Sequence, residues 1–159
     1  MPGYEVVTPR PVRRLIDGLA GQGAGYRVVH EQLARDPCAA DVGAYRLSGP
    51  LEPMVCGVHL KRDYRLAFTI QPPETDGGST RVVILYVGQR EPRHRDSDVW
   101  TILHDLFGVE NPPGQHDRPP CCDGGLPEIS EDELNAFLGE LQRMTRGRRP
   151  ARRRQRSQP

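Results

Sequence analysis

Gly-Val-His-Leu-Lys-Arg-Asp-Tyr-Arg-Leu-Ala-Phe-Thr-Ile, residues 57–70, holds the pattern around which the chain is organised. Side chains alternate across an extended chain, so His59 and Lys61 share one face while Val58 and Leu60 take the other. From Tyr64 the alternation resumes: Tyr64, Leu66, Phe68 and Ile70 face one way, and Arg65, Ala67 and Thr69 the other. Two strands therefore meet here. The next apolar run, Arg-Val-Val-Ile-Leu-Tyr-Val at residues 81–87, is β-branched and unbroken, the pattern of a strand buried on both faces. It delivers Gly88, Gln89 and Arg90 to its end, and the polar stretch 72–80 before it reads as an exposed hairpin loop. The expectation is a small sheet that presents several cations and one imidazole on one side.

Upstream, residues 4–7 form a short strand. Thr8 supplies an N-cap hydroxyl and Pro9 the first helical position. Val12, Leu15, Ile16, Leu19 and Ala20 then fall on one helical stripe that ends at Gly21. A second helix is predicted over 24–35, with Tyr26, Val29 and Leu33 inward, closed by Asp36-Pro37. So short a connection predicts an antiparallel helical hairpin. Residues 45–51 read as a strand running into a turn at Gly49-Pro50.

Downstream of Arg90 a charged loop leads to Asp96-Ser97, either of which can cap a helix. Val99, Ile102, Leu103, Leu106 and Phe107 form its apolar stripe, and Gly108 suits its end. The compact domain is set at residues 1–108. Five prolines mark 109–127 as a linker. An amphipathic helix follows at 128–145, with Ser130 and Glu133 as a capping box and Ile129 and Leu134 as a hydrophobic staple. Residues 146–159 read as an arginine-rich disordered tail.

A net charge of +1 over 159 residues conceals strong segregation. Residues 1–107 carry 13 basic and 13 acidic side chains, residues 108–142 a net −7, and residues 143–159 a net +8. No apolar run has membrane-spanning length and no signal-peptide pattern opens the chain, so the expected compartment is the cytoplasm, without membrane association. Cys38, Cys56, Cys121 and Cys122 show no regular framework and read as reduced thiols. His104, His116 and the adjacent cysteines lack the spacing of a zinc site, so neither metal nor cofactor is expected.

Taken in order, Arg-Leu-Ser-Gly-Pro-Leu (46–51), Arg-Asp-Tyr-Arg-Leu-Ala-Phe (62–68), Val-Val-Ile-Leu-Tyr-Val-Gly-Gln-Arg (82–90) and Ser-Asp-Val-Trp (97–100) resemble the RelE/ParE superfamily of bacterial type II toxins. The resemblance covers about residues 3–107. It implies an α+β fold, with a small antiparallel sheet, an N-terminal helical hairpin and a closing helix. It also implies a toxin neutralised by a cognate antitoxin. RelE-type relatives cleave ribosome-bound mRNA without metal, through attack of a ribose 2′-hydroxyl on the adjacent phosphate. ParE-type relatives inhibit DNA gyrase without cleaving anything.

Carried onto this chain, the resemblance makes Arg65 and Arg90 phosphate-binding residues, since a guanidinium grips phosphate in two-pronged fashion. His59 and Lys61 stand where the family places basic residues. His59 is expected as the base and Lys61 as electrostatic support, with exchanged roles as the alternative. Arg62, Arg93, Arg95 and Trp100 complete an RNA-binding surface. Trp100 stands where many relatives carry a tyrosine, and its indole can stack on a base but cannot act as a phenolic acid. Structural alternatives remain at this point: Arg65 paired to Asp63 or Glu91, and Trp100 packed in the core. The expected function is an mRNA endoribonuclease. The alternatives are a gyrase inhibitor or a catalytically weakened relative serving as an interaction module. The C-terminal segment has three readings: its arginine-rich tail solubilises the chain, or adheres to nucleic acid, or the helix from Ser130 docks on the compact domain, its apolar stripe needing a partner.

Overall fold

The computed structural model describes residues 3–19, 21, 23–112 and 118–157; Ala20, Gln22 and His116 lie outside the described residues. The chain is α+β, with strands β1 (Glu5–Val7), β2 (Tyr45–Arg46), β3 (Cys56–His59), β4 (Tyr64–Gln71) and β5 (Arg81–Gln89). Helices α1 (Arg10–Asp17), α2 (Gly23–Arg35), α3 (Val99–Phe107) and α4 (Glu131–Ser157) accompany them. The strands form one sheet in the order β1-β5-β4-β3-β2. It is mixed rather than wholly antiparallel, because β1 runs parallel to β5 while the remaining neighbours alternate. A parallel neighbour requires a long crossover, which the helices and the meander between β1 and β5 provide.

The expected meander is present, and its register explains the packing. Tyr45 pairs with Gly57, Gly57 with Ala67, and Ala67 with Tyr86, so one cross-strand row sets two small residues between two tyrosines. Residues directly opposite each other share a face. The small members leave room for α3: a Cβ on Gly57 would come within 2.8 Å of the Trp100 ring and 3.1 Å of the Tyr45 ring. Leu66, Phe68, Ile84 and Val87, all buried, carry the core.

Local signals explain most of the helix boundaries. Asp98, rather than Asp96 or Ser97, caps α3 by accepting from the Trp100 backbone N–H at 3.2 Å. Gly108 ends α3 in the left-handed conformation, φ 71°. The capping box forms as the spacing requires: Glu133 N–H donates to Ser130 Oγ at 3.0 Å, and Ser130 N–H to Glu133 Oε1 at 2.9 Å. At α1 the expectation shifts by a residue. Pro9 is the N-cap, and the Thr8 hydroxyl bonds instead to the Tyr26 hydroxyl on α2. β2 is only two residues long, and Gly49–Leu51 makes a 3-10 turn in place of further strand.

The segment after α3, expected as a linker, is an arm laid along the open edge of the sheet. Arg46 N–H donates to Pro119 O at 2.9 Å, Cys121 N–H to Ala44 O at 3.0 Å, and Ile70 N–H to Pro127 O at 3.1 Å. The last of these covers β4 where it outruns β3, satisfying an edge that would otherwise template foreign strands. The buried Arg46 guanidinium donates to Glu52 O at 2.9 Å and to Gly125 O on the arm. Two disulfides, Cys38–Cys122 and Cys56–Cys121, fasten it, with Cα separations of 5.6 and 5.7 Å. The expected free thiols are therefore paired; partners 84 and 65 residues apart leave no local spacing to read.

Beyond the arm, α4 packs against α3 and α1. Leu134, Phe137 and Leu141 are buried there, and the Phe137 ring stacks on Phe107 at 4.5 Å. The helix continues to Ser157, through most of the segment expected as a disordered tail. None of the helices is long and apolar enough to cross a membrane, among the described residues.

Candidate functional site

The site grows from the second cross-strand row. His59 on β3 lies opposite Arg65 on β4, and Arg65 lies opposite Gly88 on β5. Their shared face is that of Tyr45, Gly57 and Ala67, one row further in. The Tyr45 ring sits 5.7 Å from the His59 ring, and the Arg118 guanidinium of the arm stands 4.9 Å over the Tyr45 ring. Arg65, Arg90 and Arg118 all lie close enough to pull down the Tyr45 phenol pKa, yet burial outweighs them and raises it. The phenol thus stays neutral at physiological pH. Its hydroxyl is buried and without a hydrogen-bond partner in good geometry; Arg65 is the side chain placed to supply one.

His59 is solvent-accessible along one edge and packed on the other. Partial burial lowers its pKa first, and the nearby Arg65 and Arg118 cations lower it further. The imidazole is therefore unprotonated at neutral pH, the state a general base requires. Arg65 donates to the backbone carbonyl of Tyr64 at 3.0 Å, and its Nε is buried without a partner. It pairs with neither Asp63 nor Glu91 in an ion pair, among the described residues.

Arg90 arrives just past β5, where its N–H donates to Asp63 O at 2.7 Å. Its guanidinium is held by Asp98 at 2.5 Å, the Arg90 side chain being 29% exposed and Asp98 4%. Asp98 also accepts from the Glu91 N–H at 2.6 Å. One carboxylate thus fixes the end of β5, the following loop and the start of α3. Arg90 remains beside the cluster with part of its donor set committed.

The other predicted residues disperse. Lys61 leaves the His59 face because β3 ends at His59 and the chain turns; its Cβ lies against Gly25 of α2. Arg62 occupies the turn with φ 59° and is exposed. Arg93 and Arg95 are exposed on the loop before α3, where Arg95 donates to Asn111 O at 3.3 Å. Trp100 is 4% exposed, its ring wedged against Gly57 and edge-on to Tyr45 at 6.2 Å.

Tyr45, Asp98 and Arg118 join the site without having been expected there from the sequence. Tyr45 offers a partial signal, being aromatic and at the start of a strand segment. Arg118 offers none, since it reaches the cluster only through an arm whose course depends on distant disulfides. Compared with protein-family models, curated proteins and solved structures, the chain has no match.

Proposed function

We propose that this chain is the toxin of a type II toxin–antitoxin pair, a metal-independent endoribonuclease that cuts ribosome-bound mRNA in the cytoplasm. The observation that carries the reading is the convergence of a neutral imidazole, His59, with the guanidiniums of Arg65 and Arg118 on one sheet face. In this reading His59 takes the proton from a ribose 2′-hydroxyl, and the 2′-oxygen attacks the adjacent phosphorus. The bond to the 5′-oxygen breaks, leaving a 2′,3′-cyclic phosphate and a 5′-hydroxyl. The departing oxygen takes its proton from the imidazolium just formed or from solvent. Arg65 and Arg118, with Arg90 beside them, stabilise charge on the crowded phosphoryl group. A cognate antitoxin holds the toxin inactive, and the arginine-rich end of α4 adds sequence-independent attraction to RNA.

A second reading has specific support. With Lys61 turned away and Arg90 held by Asp98, the cluster contains fewer free cations than the family pattern implies. That favours a weakened relative acting as an interaction module; a ParE-like gyrase inhibitor would likewise not cleave. Paired variants separate these readings. In the nuclease reading, His59→Ala lowers mRNA cleavage by about 10²–10⁴-fold, the usual loss for a general base. Lys61→Ala lowers it by less than about tenfold. Equal effects of the two would remove His59 from the role of base, and absence of cleavage in the wild type would support the non-cleaving readings.

A further inference from the structure

A cavity of about 250 Å³ opens between the end of β5, the start of α3 and the arm. Arg90, Arg95, Asp98, Trp100, His104 and Arg118 contribute to its wall. Its charge is unbalanced: three guanidiniums face one carboxylate, and that carboxylate is already engaged by Arg90 and two backbone N–H groups. Arg95 and Arg118 have no carboxylate partner among the described residues. Trp100 is 4% exposed and its Nε1 has no hydrogen-bond partner, whereas the buried His104 ring is placed to bond the backbone carbonyls of Trp100 and Ser48. Buried polar groups left unmatched are uncommon and costly, which marks places where a ligand completes the structure.

The chemistry of the wall selects the ligand. His104 Nδ1 lies 2.7 Å from the Trp100 carbonyl and burial keeps the ring neutral, so the ring adds no charge to the wall, while Trp100 Nε1 is an unmatched donor. The surplus of two positive charges matches a phosphomonoester, which carries roughly −1.5 to −2 at neutral pH, better than it matches a singly charged diester or carboxylate. The volume is below the roughly 300–1,000 Å³ of drug-sized sites, so it suits a phosphate with a sugar rather than a whole dinucleotide.

We infer that this cavity binds a sugar phosphomonoester, its phosphate held by Arg95 and Arg118. The cavity shares Arg118 with the proposed cleavage cluster, whose His59 and Arg65 lie outside its wall, so binding and cleavage are read separately. Trp100, the sole tryptophan, provides the readout. The full-length oxidised protein is titrated with ribose 5-phosphate, which is transparent at the excitation wavelength, and in parallel with inorganic phosphate and with ribose. The expected result is a saturable change in tryptophan emission with ribose 5-phosphate, weaker binding of inorganic phosphate, and none with ribose. Arg95→Ala and Arg118→Ala, both at exposed positions, each weaken binding at least about tenfold without moving the melting temperature, whereas Arg65→Ala changes it less than about twofold. Absence of a saturable response overturns the inference, as do equal affinities in the two cavity variants and the wild type. A protein that binds the ligand yet fails to cleave RNA upholds this site and refutes the nuclease reading; cleavage without binding does the reverse.

Discussion

Asp98 shows how one side chain can obscure another. It anchors α3, the loop after β5 and the Arg90 guanidinium together, so Arg90→Ala would leave a nearly buried carboxylate short of its cation. A loss of activity in that variant would mix destabilisation with chemistry, because breaking such a pair leaves an uncompensated charge. Arg65→Ala is the cleaner probe, since Arg65 holds no carboxylate in an ion pair among the described residues. It should abolish phosphate contact at the cluster while shifting the melting temperature by only a few degrees. His104 sets a pH prediction. Its folded-state pKa lies below the ordinary 6.5, so below that pH the unfolded chain binds more protons and stability falls as pH falls. Melting temperatures measured between about pH 7.5 and 5 should drop more steeply in the wild type than in His104→Gln. Parallel curves would show that His104 does not carry the linkage. At this scale the sequence disclosed residue types but not partners. The alternation around Gly57 placed His59 and Arg65 correctly, yet could not show where the strand stops and Lys61 turns off the face.

At the level of elements, the helices whose termini carry their own chemistry were legible. Ser130 with Glu133, and Gly108, fix ends through hydrogen bonds within a few residues, so spacing alone reveals them. The arm was not legible, because what orders it lies 65 and 84 residues away. Its two bridges are expected to contribute about 2–4 kcal/mol each. Cys121→Ser, or a dithiol reductant with the wild type, should therefore lower the melting temperature and release Arg118 from Tyr45, reducing cleavage. An unchanged melting temperature under full reduction would show that the backbone hydrogen bonds alone hold the arm. The docking of α4 makes a separate prediction. Phe137 is 1% exposed and stacked on Phe107, so Phe137→Ala should cost about 3–5 kcal/mol in denaturant unfolding. A cost below about 1 kcal/mol would mean that α4 leaves the domain in solution.

Across the whole molecule, the balanced charge of residues 1–107 argues against a broadly basic RNA-binding surface, and the cations instead gather locally. Arg65, Arg90 and Arg118 meet around Tyr45, while the first turn of α4 carries Glu131, Asp132 and Glu133 and its far end the arginines. Negative charge at a helix N-terminus and positive charge at its C-terminus is the order the helix dipole favours. The separate strands and helices followed from their periods, and the α+β class from the resemblance that their order carries. The parallel placement of β1 did not, because nothing local distinguishes the two sides of a sheet. In the proposed function His59, Arg65 and Arg118 act as one phosphodiester-cleaving cluster. Primer extension on cellular mRNA after induced expression reads that chemistry at its product. Codon-positioned 5′ ends are expected with the wild type and are lost with Arg65→Ala, in a variant that still folds. Growth arrest without such cuts, or cuts that persist undiminished in the folded Arg65→Ala protein, would contradict it.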